Sequence, residues 1–401
     1  MTIAQGVFKQ LRSKIEALWG VAPGPLGAKD VRRVTADFTV TKDVYESKEI
    51  RTDQQDLDSR HGQRKAEGSI KSEMNPGDQA DFFAAMVRKL YIAPATTTAI
   101  PVTVEAPVGD VMGALVRATG SFRADGFVIG SVVRATGLTA PGSNANNFVV
   151  LGVSDLKLTG EFLNGDPLVA QPGAAAGVVI AEVGKNTFVP KTGHVVPSFA
   201  FEQWYGDVNQ SELFLGMRVV DANISLPATG MAEVEFKFMG KKMVTGVVPY
   251  YTNSVEAGTA PALAAVSGRI YVGGKRLILA TSASINIKGN GSTEAVIGSN
   301  EAPEIFMGRV QVDGSFTVLF ETAAERDAFL AELERSLVIV LSGSEAKDAA
   351  FTSIACPRIK NNSATKDDGE KGLVQTVAFK ALRGIGTQQQ TTIRIQESTL
   401  A

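Results

Sequence analysis

The sequence holds one cysteine, Cys356, and two histidines, His61 and His194, among 401 residues. One thiol excludes an internal disulfide and any multi-cysteine metal site, and two imidazoles leave a histidine-based metal centre short of ligands. No charge of one sign dominates either, since 40 Lys plus Arg face 42 Asp plus Glu and the formal net charge is -2. Without a basic excess there is no bulk attraction for nucleic acid or for an anionic membrane, so tight DNA binding is disfavoured. Long apolar runs are missing as well. Nothing reaches the ~18 uninterrupted apolar residues of a membrane span. Lys9, Arg12, Lys14 and Glu16 interrupt the apolar residues near the N-terminus, so no secretory h-region is present. A soluble protein made in a cytoplasm is the expectation.

What is present is enough apolar material for several cores. Hydrophobic residues make up 44% of a chain longer than single cores usually grow, which predicts two or three domains. The most informative stretch runs from Val44 to Leu90. Glu46–Glu67 is densely charged with mixed sign and reads as a polar arm; Ala66–Met74 follows as a strand with Ala66, Gly68, Ile70, Ser72 and Met74 on one face. A helix then begins, with Asn75 as cap, Pro76 in the first turn and Asp78 against the helix dipole; Phe82, Met86 and Leu90, flanked by Phe83 and Val87, form its buried stripe.

Before that stretch, residues 1–29 read as an extended Pro/Gly-containing arm that either crosses to a neighbour or frays, and Val34–Thr41 alternates as a strand. After it, a Thr/Pro/Ala stretch near residues 95–109 marks a boundary. The next eighty residues are poor in charge and rich in Gly, Ala, Val and Asn, with strand–turn–strand patterns that predict a small all-β module. Alternation returns at Phe199. Ala232, Val234, Phe236 and Phe238 face one way and Glu233, Glu235 and Lys237 the other, behind a turn at Pro227–Gly230. The module is therefore read as an insertion into the first domain.

Past a linker near 245–265 the opening pattern returns. Strands are expected around Arg276–Ile287, at Met307–Asp313 and at Ser315–Glu321. A helix follows, with a Thr322/Glu325 capping box and Phe329, Leu330 and Leu333 on its apolar face. Then come a buried strand in S-L-V-I-V-L-S-G, a charged hairpin loop at Lys360–Gly372, and a strand at Leu373–Leu382. Either this is a duplication or two strand–helix–strand units match by chance.

No catalytic constellation stands out. Asp58, Ser59 and His61 are neighbours in a polar arm and cannot fold onto one another as a triad. Cys356 sits in an apolar strand end and reads as a buried inert thiol. K-D-D-G-E at 366–370 lacks the ligand rhythm of a calcium loop, and G-N-G-S-T at 289–293 is too short for a phosphate loop. No catalytic, cofactor or metal residue is assigned, and the chain is read as a non-enzyme that needs no cofactor. Free sheet edges and polar arms point to assembly.

Several separated motifs carry a family resemblance. V-F-K-Q-L-R (7–12), W-G-V-A-P-G (19–24), R-R-V-T-A-D (32–37), Y-E-S-K-E-I-R-T-D (45–53), R-H-G-Q-R-K-A-E-G-S-I (60–70) and P-G-D-Q-A-D-F (76–82) resemble tail tube (major tail) proteins of long-tailed bacteriophages. So do F-E-Q-W-Y, G-M-R-V, S-L-P-A-T-G-M and F-K-F-M-G-K between 201 and 241, while the C-terminal 150 residues match in pattern alone. The resemblance implies an α+β, mainly β fold: two tandem tube-type β-sandwich or barrel domains (1–105 with 195–245, and 246–401), each with one flanking helix. An immunoglobulin-like β module (106–194) is inserted outside the tube. It implies a structural virion protein whose stacked rings conduct double-stranded DNA without sequence-specific binding. Its partners would be copies of itself, the tape measure, the tail terminator and distal tail proteins. If the chain carries the tube fold twice, three chains complete a pseudo-hexameric ring; a non-contractile tail is also implied. The lumen is expected to carry Asp, Glu and small polar residues, because a basic bore would hold the genome fast. Ile50, Arg51, Asp53, Arg60 and Arg64, in the arm, are the expected ring-to-ring contacts, a mobile surface loop being the alternative. A carbohydrate- or cell-binding β-module protein of the tail tip is the rival reading.

Overall fold

The computed structural model describes residues 3–140, 142–370 and 372–400. Four long hairpins lie side by side in one antiparallel sheet. The first joins Thr35–Glu46 to Ser59–Glu73, the second Gln210–Leu226 to Glu233–Gly240, the third Ala280–Lys288 to Gln311–Leu319, and the fourth Phe351–Lys366 to Val374–Leu382. Hydrogen bonding runs from the first hairpin through Glu233–Gly240 to Gln210–Leu226. From there it crosses to Ala280–Lys288 and continues through Gln311–Leu319 and Val374–Leu382 to Phe351–Lys366.

Shorter strands flank the hairpins in the same order in both halves. Lys9–Ile15 pairs with Lys29–Asp30 and with Phe199–Tyr205, which pairs with the start of the second hairpin. Correspondingly, Gly268–Val272 pairs with Lys275–Arg276 and with Glu334–Ser342, which pairs with the start of the fourth. Each of these hairpins has a bulge in its first strand, at Val220 and at Asn362. Lys242–Gly246 and Arg394–Glu397 then return to pair with the bulged strands.

One face of the sheet is apolar because period-2 alternation sends every second side chain into the core. Phe38, Ile70, Phe236, Phe238, Ile224, Ile285, Phe316 and Phe379 all enter a single buried cluster spanning both halves. Phenylalanine rings dominate its first half: Phe38 and Phe201 lie 4.9 Å apart between centroids, as do Phe201 and Phe238. Helix α1, Ala80–Val87, closes this core with Phe82, Phe83, Met86 and Val87. Each such side chain contributes about 1.5–3 kcal/mol on burial.

The charge-poor insertion has its own core. Ile100–Glu105, Gly113–Arg117, Lys157–Phe162, Phe148–Val153, Val132–Thr136 and Gln171–Glu182 close into a six-stranded barrel around Phe122, Phe127, Phe148 and Phe162. It docks on the outer side of Glu334–Ser342. In that strand Leu337, Ile339 and Leu341 face the main core while Val338 and Val340 meet Val132 and Val149 of the barrel. Burial on both faces explains the unbroken apolar run of this strand.

Several expectations need correction. Part of the N-terminal arm is the strand Lys9–Ile15, because its alternating residues have a partner in Phe199–Tyr205. The polar arm narrows to residues 47–58, since Ser59–Glu67 is the first part of the strand that pairs with Thr35–Glu46. Asn75 does not cap α1: a turn of residues 76–79 intervenes, the amide of Asn75 donates to Gln79 Oε1 (3.1 Å), and Leu90 lies exposed beyond the end of the helix. Helix α2, Ala324–Leu330, likewise lacks its capping box. Glu325 instead takes two hydrogen bonds from Arg335, at 2.9 and 2.6 Å, and Leu330 and Leu333 are exposed while Ala328 is buried. Gln311–Leu319 is one strand, with Gly314 fitting against the Phe379 ring rather than turning. Finally, Phe351–Lys366 extends through most of the expected 360–372 loop.

Candidate functional site

The face of the four-hairpin sheet opposite the core is mainly hydrophilic. Asp37, Glu67 and Glu73 come from the first hairpin, Asp221, Glu233 and Glu235 from the second, and Asp313 from the third. Between them stand Lys65, Lys71, Lys237, Lys288, Lys360 and Lys380 with Arg218 and Arg358; Ser, Thr and Asn fill many of the remaining positions, and Met239, Leu319 and Ala378 are apolar exceptions. Ion pairs form between neighbouring strands, although the register also sets Glu73 opposite Glu233 and Lys360 opposite Lys380. Lys71 reaches Glu233 at 2.8 Å, and Lys288 reaches Asp313 at 2.7 Å, which raises the Lys288 ammonium above its ordinary pKa. Asn286 donates to the other oxygen of Asp313 at 3.1 Å. Lys71, Lys288 and Lys360 are thus each held by a carboxylate of the same chain, while Lys237 lies opposite Asp221 and Lys380 opposite Asp313 in register, so the face carries charge of both signs.

The sheet has two open edges. Thr35–Glu46 pairs on one side only, with Ser59–Glu73. At the far end, Phe351–Lys366 is flanked on one side by Val374–Leu382, but its other neighbour, Glu334–Ser342, stops pairing at Lys360. The last residues of that strand therefore have a free edge.

The loop between Glu46 and Ser59 extends from the first hairpin. Ile50 and Leu57 are exposed on it, Ile50 fully so among the described residues. Arg51 pairs with Asp53 at 2.8 Å, and its guanidinium holds the Asp53 carboxyl below the usual range. Arg60 pairs with Asp58 at 2.7 Å where the returning strand begins. Arg64 is engaged differently: its amide donates to Asn300 O at 2.7 Å and its guanidinium meets Asn300 Oδ1 and Glu301. The corresponding loop of the third hairpin, residues 289–310, thereby folds over the first half, where Arg218 also binds Ile305 O at 2.7 Å. Four of the five arm residues thus gather on the projecting loop and its base, whereas Arg64 is tied into the chain.

The groups weighed for chemistry are scattered. His61 is exposed on a strand, opposite Val44. Cys356 is buried and its thiol is pushed up to about 12 by burial. Among the described residues no three His, Cys, Asp or Glu side chains are grouped to hold a metal ion, and no helix is long and apolar enough to cross a membrane.

The expectation of Asp, Glu and small polar residues concerned lumen-facing strand positions and assigned no strands; the chain has one polar sheet face of mixed charge. Alternation alone carries the signal within each hairpin, but the order of hairpins in the sheet is set by long-range pairing. A search of curated proteins found no match. The family model described as phage tail tube protein matches residues 9–381. With nearly the whole length matched, the chain belongs to the phage tail tube protein family.

Proposed function

We propose that this protein builds the tail tube as rings of three chains, stacked through the 47–58 loop, with the hydrophilic face of the sheet lining a bore for double-stranded DNA. The observation that carries the reading is a wide sheet with one core face, one hydrophilic face and two open edges. An edge left unpaired recruits another strand, and a head-to-tail contact that closes makes a ring.

The repeated pairing order supports two tube-type units per chain, so three chains supply six. Eight hairpin strands per chain give twenty-four in such a ring. At ~4.8 Å between strands and a tilt of ~40°, they close to a backbone diameter of about 48 Å, and side chains reduce the opening to roughly 35–40 Å. One chain alone would close far too tightly for a duplex, and six would leave a bore about twice as wide.

Charge on the lining face suits passage. Lys71, Lys288 and Lys360, paired with carboxylates of their own chain, release few counterions from DNA, which keeps affinity for phosphates low. The barrel, packed on the far side of Glu334–Ser342 from the hydrophilic face, belongs on the outside of the tube in this arrangement. Open ends of the stack would meet the tail terminator and distal tail proteins, and the bore would house the tape measure before the genome passes.

Sedimentation of the purified chain at rising concentration tests assembly. A three-chain species that grows into longer polymers is expected. A monomer at every concentration, with or without added tail-tip proteins, contradicts the proposal.

A further inference from the structure

The junction between the two halves of the chain is a template for the contact between chains. Within the chain, the end of the second hairpin's bulged strand meets the third hairpin antiparallel, with Asp221 opposite Lys288, Ala222 opposite Ile287 and Asn223 opposite Asn286. The same pairing order in both halves relates these strands to the two open edges. The bulges at Val220 and Asn362 fix the alignment of one pair, making Asp221, Ala222 and Asn223 equivalent to Ser363, Ala364 and Thr365. Following register across the sheet, Asp221 faces Lys237, which faces Ser69, which faces Asp37; Ser363 faces Ala378, which faces Ser315, which faces Ser284. Asp37 is therefore equivalent to Ser284, and Asn286, Ile287 and Lys288 to Thr39, Val40 and Thr41.

We infer that the edge Ser363–Thr365 of one chain pairs antiparallel with the edge Thr39–Thr41 of a second copy, with Ser363 opposite Thr41, Ala364 opposite Val40 and Thr365 opposite Thr39. This rests on the tube reading and specifies the register of its ring contact.

Three observations support it. The residues that would face the core, Val40 and Ala364, are apolar and only partly buried, whereas their counterparts Ala222 and Ile287 at the internal junction are fully buried. The residues that would face the bore are hydroxylic on both edges, and Thr–Thr and Thr–Ser pairs are favourable across strands. Among the described residues neither edge has a strand partner of its own. A one-residue slip would turn Val40 towards the hydrophilic face of the neighbour, so register is strongly specified.

Engineered cysteines read the register, because directly opposed Cβ atoms lie ~4.5–5.5 Å apart and diagonal neighbours ~7–8 Å, whereas a disulfide needs Cβ atoms ~3.5–4.5 Å apart. The native Cys356 is buried and does not compete. Asn223→Cys with Asn286→Cys calibrates the geometry within one chain. In assembled tubes, oxidation of the Thr39→Cys/Thr365→Cys variant should turn most of the monomer band into a covalent ladder. The offset Thr39→Cys/Ser363→Cys variant should stay largely monomeric. Co-assembled single variants, one carrying Thr39→Cys and the other Thr365→Cys, should give dimers and nothing larger. Ser363→Cys/Thr41→Cys repeats the test at a second site. If tubes form and the calibrating pair oxidises while the Thr39/Thr365 pair does not, or the offset pair reacts preferentially, the register is overturned and the tube reading stands. If the unmodified chain forms no rings or tubes, both fall.

Discussion

Replacing Glu182 by alanine should destabilise the attachment of the barrel to the main sheet more than any surface change could. Glu182 ends the last barrel strand and is buried with Arg394 of the final sheet strand, their side chains meeting at 2.6 Å. Its carboxylate also accepts from the Ser131 hydroxyl, from the Ala95 amide at 3.0 Å and from Asn186 Nδ2 at 3.1 Å. One side chain thus fastens the entry to the barrel, a barrel strand and the exit from it to Arg394. Burial already presses the Arg394 guanidinium below its ordinary pKa, and Glu182 opposes that shift. Removing the carboxylate leaves a buried cation with no counter-charge, which costs about 3–5 kcal/mol. Unfolding entropy of about 2.1 cal/mol/K per residue over a chain of this length converts that loss to a fall in melting temperature of roughly 4–6 °C. Differential scanning calorimetry measures it. The double variant Glu182→Leu/Arg394→Met, which removes both charges, should recover much of the loss. A Glu182→Ala protein melting within about 1 °C of the parent would refute the claim that this pair locks barrel to sheet.

Three further outcomes follow from the same structure. Glu397 is fully buried and desolvation raises its pKa to about 7, so its contribution to stability is complete below the unfolded value near 4.5 and is lost as pH rises to about 7. The loss amounts to about 3 kcal/mol, and urea midpoints at pH 5 and 8 should show it in the parent but not in Glu397→Gln. Cys356, a buried thiol raised to about 12, should resist alkylation in the folded protein and react stoichiometrically in denaturant; rapid labelling of the native chain would contradict its placement. Ile50→Asp should leave melting unchanged, because Ile50 is fully exposed among the described residues, yet raise the concentration needed for tube growth. Losing the burial of one isoleucine costs about 1.5–3 kcal/mol per contact, so unaltered growth would remove this loop from the stacking interface.

Much of this architecture was legible in the sequence where local physics decides it. Period-2 alternation marked Ala232–Phe238 and Leu373–Leu382, and the core positions of α1 at Phe82 and Met86 followed from their spacing. The errors lie where tertiary partners override local signals. Lys9–Ile15 looked like an arm because a strand that completes a sheet from the edge needs a partner almost two hundred residues away. Glu325 looked like half of a capping box, but Arg335 on the next strand offered a stronger, bidentate partner. Gly314 and Ser315 suggested a turn inside a strand whose glycine instead makes room for Phe379. For the candidate site, composition indicated only the lack of a basic excess, and an acidic, polar lining was expected from the family resemblance; only the pairing of distant hairpins shows that the alternating residues of all four share one face.

The measurement that bears most directly on the account is electron microscopy of end-on particles formed by the purified chain. The account predicts hollow rings or tubes with threefold symmetry, six similar lobes around the bore and three peripheral densities for the barrel. Rings of six chains with twelve lobes, solid fibres, or dispersed monomers at every concentration would contradict it.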